Sequence, residues 1–90
     1  MSSLDRAFID DLLSRIDIIE VIGNVIQLKK HGSGYKGLCP FHSENTPSFN
    51  VSNTKQFYHC FGCGVSGDVI KFLREHDGLT FIEAIEKLAY

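Results

Sequence analysis

The chain has 90 residues, enough for one small domain, which excludes a large two-lobed enzyme, a solenoid of full-length repeats and a multi-pass membrane protein. Hydrophobic residues make up 43% of it and charged residues 22%, so it is too apolar to be an intrinsically disordered tail. The formal net charge of −2 is unevenly distributed, because residues 24–67 carry four lysines and one glutamate between two acidic flanking segments. A nucleic-acid partner is therefore compatible with the basic middle segment.

Two helices are predicted in the N-terminal segment, over residues 4–22. Apolar residues recur at helical spacing between residues 8 and 16, and the charged residues fall on the opposite side of the wheel. Asp17 followed by Glu20 has the pattern of a helix cap. This pattern predicts a short second helix from Ile18 to Ile22.

A small antiparallel sheet is predicted over residues 25–64. Ile26 and Leu28 share one face of its first strand, opposite to Lys29. Glycine-rich and polar turns separate the later strands. The predicted strands are residues 25–30, 35–38, 48–52 and 56–60.

Two further helices are predicted over residues 67–90. Apolar residues at helical spacing suit a helix that ends at Gly78. Thr80 and Glu83 then form a capping-box pattern at the start of the last helix. The sequence therefore predicts one α+β domain across residues 1–90, with a small antiparallel sheet flanked by short helices.

The three cysteines indicate a metal site in a reducing compartment. An odd number of cysteines, together with an N-terminus that lacks a targeting pattern, favours a cytoplasmic protein over a secreted disulfide framework. The segments CPFH (39–42) and CFGC (60–63) each place two residues between two ligands, and 17 residues separate the pairs. Four such ligands close a tetrahedron and leave no position for water or substrate. The predicted ligands of one structural Zn²⁺ are Cys39, His42, Cys60 and Cys63.

Three other interpretations of this pattern stay open. The cysteines could be ordinary buried residues beside an unrelated histidine, or Cys60 and Cys63 could form a thioredoxin-like redox pair. His42 and Glu44, followed by the second cysteine pair, also resemble the signature of a zinc deaminase. Against the deaminase, His59 stands where a proline should precede Cys60, and the chain is too short for that scaffold.

A second candidate surface lies on the strand that precedes the second ligand pair. Alternation along this strand would bring Lys55, Phe57 and His59 to one face, away from Cys60, if the strand extends that far. Lysines neutralise phosphates while flat rings stack on bases, so this face suits single-stranded nucleic acid. Alternatively, the phenylalanines belong to the core and the lysines are ordinary solvated residues. The lysines that could extend the groove are Lys29, Lys30 and Lys36.

The segments CPFHSENTPSF (39–49) and FYHCFGCG (57–64) closely resemble the zinc-binding domain of bacterial DnaG-type DNA primases. The resemblance covers essentially the whole chain. It implies a zinc ribbon that binds one structural Zn²⁺ and single-stranded template DNA, and that helps select the site where RNA primer synthesis begins. The template contacts that it implies are Lys29, Lys30, Lys55, Phe57 and His59. Asn45 and Ser33 depart from the basic residues common in the family, which implies a thinner positive patch.

In that family the chemistry of primer synthesis lies outside the zinc module. The resemblance implies a following magnesium-binding polymerase domain, reached in cis or in trans, and a more distant region that binds the replicative helicase. We find no triphosphate cradle or carboxylate-held metal pair in this sequence, so we expect no catalytic residue, no turnover by this chain alone and no membrane partner. The alternative function is a zinc-stabilised protein-interaction module that docks the polymerase domain and contacts DNA little.

Overall fold

A computed structural model describes residues 5–90 as an antiparallel sheet of five strands with two helices before it and two after it. Residue 4, where the first helix is predicted to begin, lies outside the described residues. The helices are Arg6–Ser14 (α1), Ile18–Gly23 (α2), Val69–His76 (α3) and Phe81–Ala89 (α4). The strands are Lys29–His31 (β1), Gly34–Gly37 (β2), Phe49–Ser52 (β3), Phe57–Cys60 (β4) and Ser66–Gly67 (β5). None of these helices is long and apolar enough to span a bilayer.

The sheet follows the chain order β1-β2-β3-β4-β5, and every neighbouring pair is antiparallel. It occupies residues 29–67, whereas the sequence predicted residues 25–64. The N–H groups of Val25 and Ile26 both donate to the Ile22 carbonyl, so the chain is still turning after α2 and β1 starts later than predicted. The two-residue strand β5 was not predicted, because two residues are too few to show an alternating pattern.

The register of the strands separates two faces of the sheet, since residues paired across antiparallel strands point to the same side. We call the buried side the inner face and the opposite side the outer face. The inner face carries Phe49, Val51, Tyr58 and Cys60, which are all buried. One row across the outer face consists of Lys29, Lys36, Asn50, His59 and Ser66, none of which is fully buried.

Aromatic rings form the centre of the core on the inner face. The rings of Phe49 and Tyr58 are stacked with centroids 5.3 Å apart, and Phe72 from α3 meets Tyr58 edge to face at 5.6 Å. Phe41, from the loop between β2 and β3, packs against Phe72 at 5.7 Å. The loop that carries the first ligand pair is therefore anchored in the same core as the sheet and α3.

A glutamine in the turn between β3 and β4 fixes the position of α2. The Oε1 atom of Gln56 accepts the Ile18 N–H at 2.7 Å, at the first turn of α2. Gln56 has a φ of 53°, in the left-handed region, so it belongs to the turn and β4 begins one residue later than predicted. Ile18 and Ile22 are fully buried, and each such burial stabilises the fold by about 1.5–3 kcal/mol.

The two C-terminal helices are joined by an ionic contact. The capping box predicted from Thr80 and Glu83 is confirmed at the start of α4. Asp77 caps the C-terminus of α3, and its carboxylate accepts from Lys87 Nζ of α4 at 2.8 Å and lies 2.7 Å from His76 Nδ1. These two contacts, the lysine first, hold the pKa of Asp77 below its usual range.

We predict that Asp77→Asn lowers the free energy of unfolding by about 1 kcal/mol at pH 7, measured by urea denaturation of the zinc-loaded chain. A lowered carboxyl pKa contributes stability that is complete above the ordinary aspartate pKa of about 4 and is lost only as the pH falls through the lowered value. The measurement at pH 7 therefore captures the whole contribution. Asp10→Asn is the matched control, because its ion pair with Arg6 is exposed and should contribute less than about 0.5 kcal/mol. Equal losses of unfolding free energy in the two variants would contradict a stabilising role for the contacts of Asp77.

Candidate functional site

The four predicted metal ligands converge beyond the end of β2 and at the end of β4. Their ligand atoms all lie within 4.8 Å of one another. The Sγ atoms of Cys39 and Cys63 are 3.8 Å apart, and Cys60 Sγ lies 3.9 Å from His42 Nδ1. Two sulfurs each bound at about 2.3 Å in a tetrahedron are separated by about 3.8 Å. The cluster therefore has the size and the ligand types that fit Zn²⁺.

Both ligand pairs are shaped by the same local hydrogen bond. The N–H of Phe41 donates to Cys39 Sγ, and the N–H of Gly62 donates to Cys60 Sγ, each at 3.3 Å. A Cβ atom at Gly62 would lie 2.8 Å from His42 Nε2, so only glycine lets the second turn approach the first this closely. The two turns thus direct their ligands at one point.

The electrostatics of the cluster also favour a bound cation. Burial raises the pKa of the Cys39 thiol to about 12, and the neighbouring sulfurs of Cys60 and Cys63 contribute in the same direction. Burial also disfavours the Cys60 thiolate, but the Ser48 side chain, 3.5 Å from Cys60 Sγ, and the nearby N–H groups of Cys63 and Gly62 outweigh it and lower the pKa of Cys60 to about 7. Several thiolates this close repel one another, and a divalent cation removes that penalty because zinc binds deprotonated sulfur.

This geometry decides among the interpretations left open by the sequence. The cysteines are not unrelated buried residues, because three of them meet His42 at one point. Cys39 takes the fourth position of the tetrahedron, where a deaminase needs its water, so the deaminase interpretation is wrong. The same convergence removes the basis for a separate redox pair of Cys60 and Cys63.

Glu44 was considered from the sequence only as a deaminase residue, yet its pKa is lowered by hydrogen bonds from the Ser48 hydroxyl and the Cys39 N–H.

The outer face of the sheet brings together most of the residues predicted to contact nucleic acid. Lys29 and His59 belong to the same row across the sheet, and Phe57 lies on the same face one row further along. Phe57 is 43% exposed, so it is not a core residue, in contrast to Phe49 and Phe72. The interpretation that all the phenylalanines belong to the core is therefore wrong. The outer face is concave, with a groove of about 340 Å³ whose lining includes His31, Asn50, Lys55, Phe57, His59 and Phe61.

Two predicted contact residues lie elsewhere than the sequence suggested. Lys30 shares the side of Tyr35, with its Nζ 5.7 Å from the centre of that ring, and so points away from the outer face. Successive side chains of a strand alternate between faces, so Lys29 and Lys30 cannot both lie on the outer face. Lys55 lies in the turn before β4 and not on the strand, but it still borders the groove.

Sequence reasoning missed Phe61 as part of this surface. Phe61 lies between the two cysteines of the second ligand turn, is 73% exposed, and meets the His59 ring edge to face at 4.5 Å. A signal was available, because Phe57, His59 and Phe61 follow one another at every second residue, the spacing that places strand residues on one face. The metal centre therefore supports one end of the outer face directly.

Comparison with known proteins identifies relatives along the whole chain. Residues 4–90 match the family model described as the CHC2 zinc finger. The chain is 55% identical to a DNA primase of Listeria monocytogenes over 89 residues, which covers 99% of this chain and 14% of that protein. It is 60% identical to a DNA primase of Haemophilus influenzae over 87 residues, covering 97% of this chain and 15% of the relative. The chain thus spans about one seventh of the length of these relatives.

A solved structure supports the same relationship. The crystal structure of the Aquifex aeolicus primase, described as its zinc-binding and RNA polymerase domains, matches with a TM-score of 0.85 and 49% sequence identity. The match covers 90% of this chain and 20% of that chain. Together with the cluster geometry, these similarities assign one structural zinc ion to Cys39, His42, Cys60 and Cys63.

We predict that His42→Ala reduces the zinc content well below one ion per chain after dialysis against a chelator, and that the variant loses the cooperative thermal transition, because a structural zinc site contributes folding free energy. His59→Ala is the matched control. His59 is a histidine of the adjacent strand that lies outside the ligand cluster, so this variant should keep one zinc per chain. Metal content by atomic emission and melting by circular dichroism test both. Full zinc retention in His42→Ala would refute the ligand assignment.

Proposed function

The chain belongs to the CHC2 zinc-finger family, the zinc ribbons of DnaG-type DNA primases, and from this we propose that it binds single-stranded template DNA on the outer face of its sheet. Through that contact it helps select the site where a primase begins an RNA primer during DNA replication. The zinc ion in this proposal supplies structure and takes no part in the joining of nucleotides.

One observation carries the proposal: the outer face combines cations with exposed aromatic rings while the core lies on the opposite side of the sheet. Phe57 and Phe61 expose their rings beside His59, and Lys29 and Lys36 follow on the same face. Base stacking on such rings does not depend on base identity, and lysines compensate the phosphate charge. This is the combination that single strands require.

Few lysines lie on the outer face, so we expect this face alone to bind single-stranded DNA weakly. Lys29, Lys36 and Lys55 can face a DNA strand bound on the outer face, while Lys30 points to the inner side of the sheet. Three phosphate contacts on a single strand give a slope of log affinity against log salt of about −2. A primase therefore needs a second contact from its polymerase domain to hold the template. Site selection is then a joint property of the two domains.

A second function is favoured by exposed apolar side chains on α1 and α4. Phe8 of α1 is 40% exposed and Ile82 of α4 is 52% exposed, although both helices are amphipathic. These residues suit a module that docks a primase polymerase domain, in cis or in trans, with little direct DNA contact. The proposed setting is cytoplasmic replication, with the contact to a replicative helicase made by another part of the primase.

We predict that Phe57→Ala weakens binding to a labelled single-stranded oligonucleotide by about 1–3 kcal/mol in fluorescence anisotropy, because one stacking ring is lost. The two adjacent lysines provide a matched charge control. Lys29→Ala, on the outer face, should also weaken binding and reduce the salt slope by about 0.7, whereas Lys30→Ala should do neither. Equal effects of the two lysine variants would contradict the proposed face. Unchanged binding in Phe57→Ala and Lys29→Ala would favour the docking module.

Activity in a whole primase separates the two functions further. The chain is added to a primase that lacks its own zinc domain, and sequence-directed primer synthesis is measured. Under template recognition, restored initiation at specific sites should be lost in Phe57→Ala and kept in Ile82→Ser. The docking function predicts the opposite result, with initiation kept in Phe57→Ala and lost in Ile82→Ser.

A further inference from the structure

The carboxylate of Glu44 lies between the loop that carries the first ligand pair and the start of β3. Its Oε2 accepts the backbone N–H groups of Cys39 at 2.8 Å and of Ser48 at 3.1 Å. Its Oε1 accepts the Ser48 hydroxyl and lies 3.1 Å from His42 Nε2. Only 11% of the Glu44 side chain is exposed, so these contacts take the place of water as its partners.

The contact with His42 bears on which ring nitrogen can bind metal. His42 Nδ1 faces the cluster, 3.9 Å from Cys60 Sγ, while Nε2 faces Glu44. A neutral imidazole has one protonated nitrogen and one free lone pair, and only the lone pair can bind zinc. A carboxylate opposite Nε2 stabilises the proton there and leaves Nδ1 free for the metal.

We propose that Glu44 is a positioning residue that holds His42 in the Nε2–H tautomer and so directs Nδ1 to the zinc ion. The same carboxylate fixes the Cys39 backbone, so one side chain orients both ligands of the first pair. A glutamine cannot replace it, because an amide has one oxygen and one NH₂ group. Either the Cys39 N–H or the His42 Nε2–H would then face a donor.

The orientation of the zinc ligands by Glu44 is independent of the DNA-binding proposal. Glu44→Gln is expected to lower zinc affinity about 10- to 100-fold in competition with a chromophoric chelator, because substitutions of groups that orient a metal ligand have effects of this size. Glu86→Gln, the same change at an exposed position of α4, is the matched control and should leave the affinity unchanged.

A double-mutant cycle with His42→Cys distinguishes positioning through His42 from simple support of the loop. When cysteine provides the ligand there is no tautomer to select, so Glu44→Gln should cost less affinity in that background than in the wild type. An equal loss in both backgrounds would overturn the proposal.

The wild-type protein provides a test that requires no variant to fold. Long-range ¹H–¹⁵N NMR spectra of the zinc-loaded chain should show a protonated Nε2 and a metal-bound Nδ1 on His42. Ligation through Nε2 would overturn the inference directly.

Discussion

The fold depends on a single constraint, the joining of two distant turns by four ligands to one zinc ion. The first turn holds Phe41 between its two ligands, and this ring packs into the aromatic core against Phe72 of α3. Metal binding therefore orders a loop of the sheet and a core residue together. A 90-residue chain buries too little apolar surface to be stable by a wide margin, so the free energy of zinc binding contributes directly to folding.

Alternation along one strand allows the same four residues to serve two surfaces. In β4, Tyr58 and Cys60 point to the inner face, where one enters the core and the other binds metal, while Phe57 and His59 point to the outer face. Core and metal-binding residues thus alternate, one residue at a time, with the residues that the strand presents on the outer face. A shift of register by one residue would exchange the two faces. Ligation of the metal by Cys60 prevents such a shift.

Features of the fold that depend on local chemistry could be predicted from the sequence. The ligand spacing and the capping box were predictable because a few neighbouring residues determine each of them. Features that depend on partners distant in the chain were not. The hydrogen bond from the Ile18 N–H to Gln56 joins residues 38 positions apart in the chain, and β5 exists only because β4 offers it an edge. Lys29 and Lys30 are neighbours on one strand, so alternation places their side chains on opposite sides of the sheet although their charge is the same.

The metal centre and the outer face remain physically connected although zinc contacts neither Phe57 nor His59. Phe61 belongs to the second ligand turn, and its N–H donates to the Ser48 carbonyl at 2.9 Å, which fixes the turn to the start of β3. Its ring then meets His59 on the outer face. Loss of zinc would release this turn and one end of the groove at the same time. A metal with no open coordination position therefore controls the shape of the outer face, through the geometry of the backbone that it holds.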